Sequence, residues 1–97
     1  MPTYIGLWKM TDQGIKDIKN APQRLEQGIK ALEKVGGKML GFYTCMGEYD
    51  YVGIAECPND EAAMIFLMGL NSLGNIRSTT MRAFTPQEIA NLIKKLP

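Results

Sequence analysis

Apolar residues in this chain recur with two periods, and the switches between them mark out the elements. Thr3 to Met10 alternates, with Ile5 and Leu7 in one phase and Tyr4, Gly6 and Trp8 in the other, the period of a half-buried strand. Thr11-Asp12-Gln13-Gly14 carries turn and cap chemistry, and a short helical piece over Ile15 to Lys19 follows. Asn20 then suits the cap of a longer helix, which holds Pro22 in its first turn and spaces Leu25, Ile29 and Leu32 along one stripe. Gly36-Gly37 supplies a left-handed end. Two runs of strand formers, Lys38 to Cys45 and Tyr51 to Cys57, flank Gly47-Glu48-Tyr49-Asp50 and read as a hairpin. Pro58 stops the second run, and Asn59 caps a helix reaching about Leu73, with Asp60 and Glu61 placed against its dipole and Gly74 closing it. Asn75 to Phe84 is the last strand. Thr85-Pro86-Gln87-Glu88 is a capping box that opens a final helix, whose Ile89, Leu92, Ile93 and Leu96 share a face.

The order β-α-β-β-α-β plus a terminal helix defines an α+β, ferredoxin-like chain, with a four-stranded antiparallel sheet and both crossover helices on one side of it. Residues 1–97 form a single domain, since that length supports one modest core. Strand parity sorts side chains into two sets. Ile5, Leu7, Leu40, Phe42, Val52 and Ile54 carry no polar handle and are expected under the helices. Tyr4, Gly6, Trp8, Gly41, Tyr43, Tyr51, Gly53, Ala55, Ser78, Thr80 and Arg82 are then expected on the bare face. An uncovered face holding Trp8, Tyr43 and Tyr51 implies an interface or a ligand groove, because tyrosine and tryptophan suit surfaces that are part apolar and part wet. The helix segment Met64-Ile65-Phe66-Leu67-Met68 is apolar all round, so a second subunit is expected to cover its outer side. Pairing through the open sheet face, at least as a dimer, follows.

Charge narrows the partners. Eleven basic residues against ten acidic ones leave no field for non-specific nucleic-acid binding, and the basic residues are scattered. The N-terminus has no secretory pattern, and the apolar run Ala62 to Leu70 is too short to span a bilayer, so no membrane partner and a cytoplasmic location are expected. Cys45 and Cys57 fall at opposite ends of the hairpin, roughly 23 Å apart at strand spacing, and are expected as free thiols.

Histidine is absent, which removes Ser-His-Asp triads and most zinc sites. There is no Cys-x-x-Cys, phosphate loop or Gly-x-Gly-x-x-Gly, so neither a metal nor a cofactor is expected. Carboxylates are the remaining acid–base groups. Asp50 is read as bonding its own turn backbone, and Asp12 as a helix cap. No catalytic residue emerges. Trp8, Tyr43, Tyr51, Thr80 and Arg82 are the ligand or interface candidates.

Several blocks in order carry a family resemblance. Gly47-x-Tyr49-Asp50 precedes a hydrophobic strand, then Cys57-Pro58-Asn59-Asp60-Glu61-Ala62, then Leu73-Gly74-Asn75-Ile76-Arg77-Ser78-Thr79-Thr80-Met81-Arg82-Ala83-Phe84. With the opening Tyr4-Ile5-Gly6-Leu7-Trp8-Lys9-Met10-Thr11-Asp12-Gln13-Gly14, almost the whole chain resembles the GYD-domain family, with Gly47, Tyr49 and Asp50 as its motif. The resemblance implies a member of the dimeric α/β-barrel superfamily, whose domains pair through open sheet faces. It carries over no catalytic residue. The function expected is a small homo-oligomeric domain binding a small molecule beside the sheet-face contact. The alternatives are a cofactor-independent oxygenase-like or proton-abstracting enzyme, and a purely structural interaction module.

Overall fold

In the computed structural model, which describes all of residues 1–97, β1 (Thr3–Met10) is hydrogen-bonded on both sides. It is followed by α1 (Asp12–Lys16), a single 3-10 turn (Ile18–Asn20) and α2 (Ala21–Lys34). The hairpin is β2 (Lys38–Thr44) and β3 (Tyr51–Glu56), then come α3 (Asp60–Ser72), β4 (Ile76–Ala83) and α4 (Pro86–Ile93). The sheet order is β2-β3-β1-β4, antiparallel throughout, with α2 and α3 on one face. This is the ferredoxin-like arrangement.

Local chemistry sets the boundaries. Thr11 Oγ1 accepts from Gly14 N and so caps α1; Asp12 sits in the first turn instead of capping. Asn20 precedes α2 without capping it, because its Nδ2 donates to Asp17 Oδ1 at 2.6 Å. Gly36, at φ +84°, ends α2 in the left-handed form that glycine adopts without strain. Asn59 Oδ1 accepts from Ala62 N at 2.8 Å at the start of α3. The capping box of α4 is complete: Glu88 N donates to Thr85 Oγ1 and Thr85 N to Glu88 Oε1. Both cysteines are free thiols, and burial pushes the Cys57 thiol up.

The two sheet faces are reversed from the parity expectation. Tyr4, Gly6, Trp8 and Gly53 are buried under the helices, where Tyr4 packs with Leu32, Cys57, Ala63 and Phe66. Ala55, Tyr51, Ser78, Thr80 and Arg82 share that phase through the β1 pairings Tyr4–Ala55, Trp8–Tyr51, Trp8–Ser78, Gly6–Thr80 and Tyr4–Arg82. Ile5, Leu7, Val52 and Ile54 point to the open side with Met81. The cause is steric. A Cβ on Gly6 would stand 2.5 Å from Trp8 Cη2, and one on Gly53 would stand 2.7 Å from Trp8 Cζ3. The indole therefore lies flat over two glycines, whose missing side chains make the space for it between sheet and helices.

Strand β2 breaks parity by itself. A register shift between Met39 and Gly41 inserts Leu40 as an extra residue, so Gly41 pairs with Ile54 and Phe42 with Gly53. Phe42 is consequently under the helices as expected, and Gly41 and Tyr43 are on the open side as expected. Leu40 is 50 % exposed, contrary to expectation.

The open face is covered by no element of its own chain. On α3, Ala63 and Phe66 are buried, whereas Met64, Ile65 and Met68 are exposed. Helix α4 leaves Ile89, Leu92 and Ile93 exposed, as is Leu96 just beyond it. The molecule measures 53 × 30 × 18 Å with a radius of gyration of 14.8 Å, against about 13 Å for a compact chain near this length. No helix is long and apolar enough to cross a membrane.

Candidate functional site

Beneath the N-terminal half of α2 the helix and sheet stand apart, leaving a cleft of about 460 Å³. Its floor is aromatic. Trp8, Phe42 and Tyr51 project from three neighbouring strands, with ring centroids 6.0 Å apart for Trp8–Phe42 and 5.3 Å for Phe42–Tyr51. Leu25 and Ile29 of α2 form the roof, and α3 closes one side with Phe66 and Leu70. The remaining walls are mostly apolar, and no carboxylate lines the space.

Three polar side chains reach it. The Tyr51 hydroxyl has one weak partner, Met10 Sδ at 3.5 Å. Thr44 lies at the edge of the hairpin. Arg24 comes from the first turns of α2, its side chain only 20 % exposed. Arg24 Nη1 donates to Asp17 O at 2.7 Å and Asp17 Oδ2 at 2.8 Å, and Nη2 donates to Gly14 O at 3.2 Å. The Asp17 end of this pair is about half exposed, so the pair adds little stability, but its bonds orient the guanidinium at the cleft.

Trp8 Nε1 is buried with no hydrogen-bond partner in the protein, as are Thr80 Oγ1 and Asn71 Oδ1. An orphaned buried polar group costs roughly 1–3 kcal/mol. Asn71 Nδ2 donates to Ser78 Oγ at 2.8 Å, which ties α3 to β4 beside a second groove that includes Met64, Met68 and Arg77.

The residues proposed from sequence are thus divided. Trp8 and Tyr51 meet in the cleft, opposite each other across β1 and β3. Thr80 lies on the same side, across from Gly6. Arg82 sits at the far end of the sheet, its Cζ 4.4 Å from the Phe84 ring centroid and 5.7 Å from that of Tyr4, with Nη1 donating to the Thr3 carbonyl. Tyr43 is on the opposite face, 62 % exposed. Arg24 and Gly28 escaped the sequence reading. Their signal is a charged residue and a glycine beside the stripe Leu25, Ile29, Leu32.

The Gly47-Glu48-Tyr49-Asp50 loop does structural work. Gly47 has φ +111°, a conformation closed to most side chains. The Asp50 carboxylate accepts from Met10 N at 2.8 Å, one step beyond the end of the β1–β3 ladder, so it bonds the neighbouring strand instead of its own turn. Asp50 N donates to Trp8 O, and Cys45 N donates to Asp50 O. Lys9 Nζ stands 5.3 Å from the Tyr49 ring centroid and 3.5 Å from Glu48 Oε1.

At the other end, the Tyr4 hydroxyl donates to Asp60 Oδ1 at 2.5 Å. Burial, then this hydrogen bond to a carboxylate, pushes the phenol up to about 12.

An α+β sheet with two helices on one face and nothing on the other defines the chain as a ferredoxin-like domain. Residues 4–93 match the GYD domain, and the chain belongs to that family. It is 29% identical over 97 residues, 99% of each chain, to the glutamine synthetase and cystathionine beta-lyase binding protein of Thermus thermophilus. Among solved structures it resembles the Mycobacterium tuberculosis leucine response regulatory protein LrpA, at 19% identity and TM-score 0.64, covering 87% of this chain and 51% of that one. It also resembles the M. tuberculosis feast or famine regulatory protein complexed with L-methionine, at 19% identity and TM-score 0.66, covering 88% and 51%. The chain spans about half the length of both, and the likeness concerns the fold.

Proposed function

We propose that this protein is a homo-oligomeric, small-molecule-binding domain whose copies associate through the open sheet face. The observation that carries the self-association is the aliphatic surface of Ile5, Leu7, Val52, Ile54 and Met81, with Leu40 and Tyr43 beside it and no element of the chain over it. Surfaces of this character are covered in stable assemblies. Four strands at their usual spacing make a footprint of roughly 19 Å by 23 Å, about 400 Å². A standard interface takes about 800 Å² from each partner. The uncovered stripe of α4 is available to supply the rest by lying on the neighbouring copy. The small-molecule site moves from the sheet contact to the helix side, because the aromatic candidates Trp8 and Tyr51 are there. The proton-abstracting alternative keeps only the Tyr51 hydroxyl as its base, since the cleft contains no carboxylate.

The test is sedimentation velocity at low micromolar concentration. A dimer or larger species is expected, with Ile54→Glu sedimenting as a folded monomer. A monomeric wild-type chain overturns the self-association.

A second reading, docking on a metabolic enzyme, is favoured by the groove between α3 and β4, where exposed Met64 and Met68 offer an adaptable apolar surface beside Arg77. The Thermus relative is named for binding two enzymes. Biolayer interferometry against purified glutamine synthetase and cystathionine beta-lyase tests it, with Met68→Glu as the variant that should lose the signal.

A further inference from the structure

Gly28 lies mid-way along α2 with no packing reason to be glycine. At Gly14 an added Cβ would meet the Asn75 carbonyl oxygen at 2.1 Å, and at Gly6 and Gly53 it would strike Trp8. At Gly28 the nearest atom is Leu70 Cδ1 at 3.7 Å, an ordinary contact. Glycine weakens a helix interior relative to any larger residue of good propensity. Here its one structural effect is to leave the cleft wall bare. Gly69 also has open space around it, but it is solvent-exposed on α3 and borders no part of the cleft.

One turn earlier, Arg24 supplies the only formal charge in the lining. A guanidinium has five N–H donors, of which two on Nη1 and one on Nη2 are engaged by Asp17 and Gly14. Nε–H and the second Nη2–H have no protein partner. These two donors can take a carboxylate in the forked geometry that arginine favours. The cleft volume of about 460 Å³ lies within the range of small-molecule sites.

We propose that the cleft beneath α2 binds a monocarboxylate with an apolar body, its carboxylate on the free edge of Arg24 and its hydrocarbon over Trp8, Phe42 and Tyr51. This deepens the small-molecule half of the function above and does not depend on the self-association. An ammonium group would find no carboxylate partner in the cleft, since no acid lines the space and Asp17 is already held by Arg24, whose own positive charge would repel it. The preferred ligand therefore carries one negative charge and no positive one.

Trp8 is the single tryptophan and reports directly on the floor. Octanoate, octan-1-ol and L-methionine serve as probes, titrated against Trp8 fluorescence and the thermal midpoint. Octanoate should give a saturable change with an affinity at least tenfold above that of octan-1-ol, and L-methionine should give none. Gly28→Leu fills the cleft from its roof and should raise the midpoint of the unliganded protein while abolishing the octanoate response. Arg24→Gln should reduce octanoate to the octan-1-ol level and leave octan-1-ol unchanged. Equal affinities for acid and alcohol, a stronger response to L-methionine, or an undiminished octanoate response in Gly28→Leu would each overturn the proposal. Sedimentation of the same samples separates these outcomes from any change in self-association.

Discussion

The two faces of the sheet solve opposite problems. The helix-covered face carries the polar-tipped aromatics and glycines, yet it is the one shielded from water: Trp8 is 6 % exposed and Tyr4 8 %. The open face carries plain aliphatics, Ile5, Leu7, Val52 and Ile54, which are only partly buried and lie under no helix. A chain this small therefore places much of its simplest apolar surface outside its own core. Hydrophobicity decides which residues tend to leave water; shape decides which of them the helices cover. A flat indole over two glycines fits only against helices that stand off from the sheet, whereas a mat of branched side chains fits against another mat.

The largest expected effect separates the faces directly. Trp8→Ala should cost about 3–5 kcal/mol, the scale for emptying a large aromatic site. Leu7→Ala, on the open side, should cost the monomer much less and act on association. Urea unfolding at low and high protein concentration distinguishes the two, since only the Leu7 variant should show a loss that depends on concentration. Trp8→Glu places a charge in the core, so circular dichroism should report an unfolded chain instead of a dissociated one.

Next in size is Gly53→Ala. The added methyl meets the Trp8 ring well inside contact distance. Overpacking of this kind costs about 1–3 kcal/mol. Substituting Gly41, on the open side and with only Tyr43 near it, should cost less. Equal denaturant midpoints for the two variants would show that the indole does not need the glycine.

Much of the fold was legible because local rules report local facts. Asn59, the Thr85–Glu88 box and the glycines at 36 and 74 place helix ends through bonds made within a few residues. The sorting of faces was not local. Nothing in Ile5 or Leu7 says whether a helix or a second sheet will cover them, and the ranking of plain aliphatics as core assumed that a monomer must bury them. The bulge at Leu40 is equally silent in composition: Leu40 itself ends up half exposed, while the inverted phase after it returns Gly41, Phe42 and Tyr43 to the faces expected of them. The cleft was half legible. Trp8 and Tyr51 stand out by their chemistry, whereas Arg24 and Gly28 line the cleft through what α2 does not fill.

A smaller effect sharpens the tie between α3 and the covered face. Tyr4→Phe removes the hydrogen bond to Asp60 and should cost about 1–2 kcal/mol. The phenol of the unfolded chain ionises near 10, and the folded one at about 12. The unfolded state thus loses its proton first. The stability from this group is complete below about pH 10 and falls as pH rises toward 12. Ultraviolet titration should show one of the four tyrosines ionising last, and that step should vanish in Tyr4→Phe.

The smallest effect is expected at Thr85. Removing a cap costs about 1 kcal/mol of helix stability. Helix α4 leaves its apolar stripe uncovered, so the loss should appear as fraying of α4 in helical circular dichroism and scarcely move the global midpoint. The Thr85 N–H beside Glu88 holds that carboxyl below its usual range. The contribution of Glu88 is present above the ordinary carboxylate pKa and is lost as pH falls through the lowered one. An acid-induced loss of helix that persists unchanged in Glu88→Gln would remove the box as its cause.

The end of β1 gathers three distant stretches of chain. Met10 N is held by Asp50, Thr11 N donates to Asn75 O, Thr11 Oγ1 donates to Gly74 O, and Asp50 N returns to Trp8 O. Loops separated by tens of residues in sequence are therefore clamped at one short segment. A proton on any of these amides can leave for solvent only when the junction opens, and opening releases the hairpin loop and the entry to β4 together. The amides of Met10, Thr11 and Asp50 should accordingly exchange as one cooperative unit, although no helix or strand contains all three.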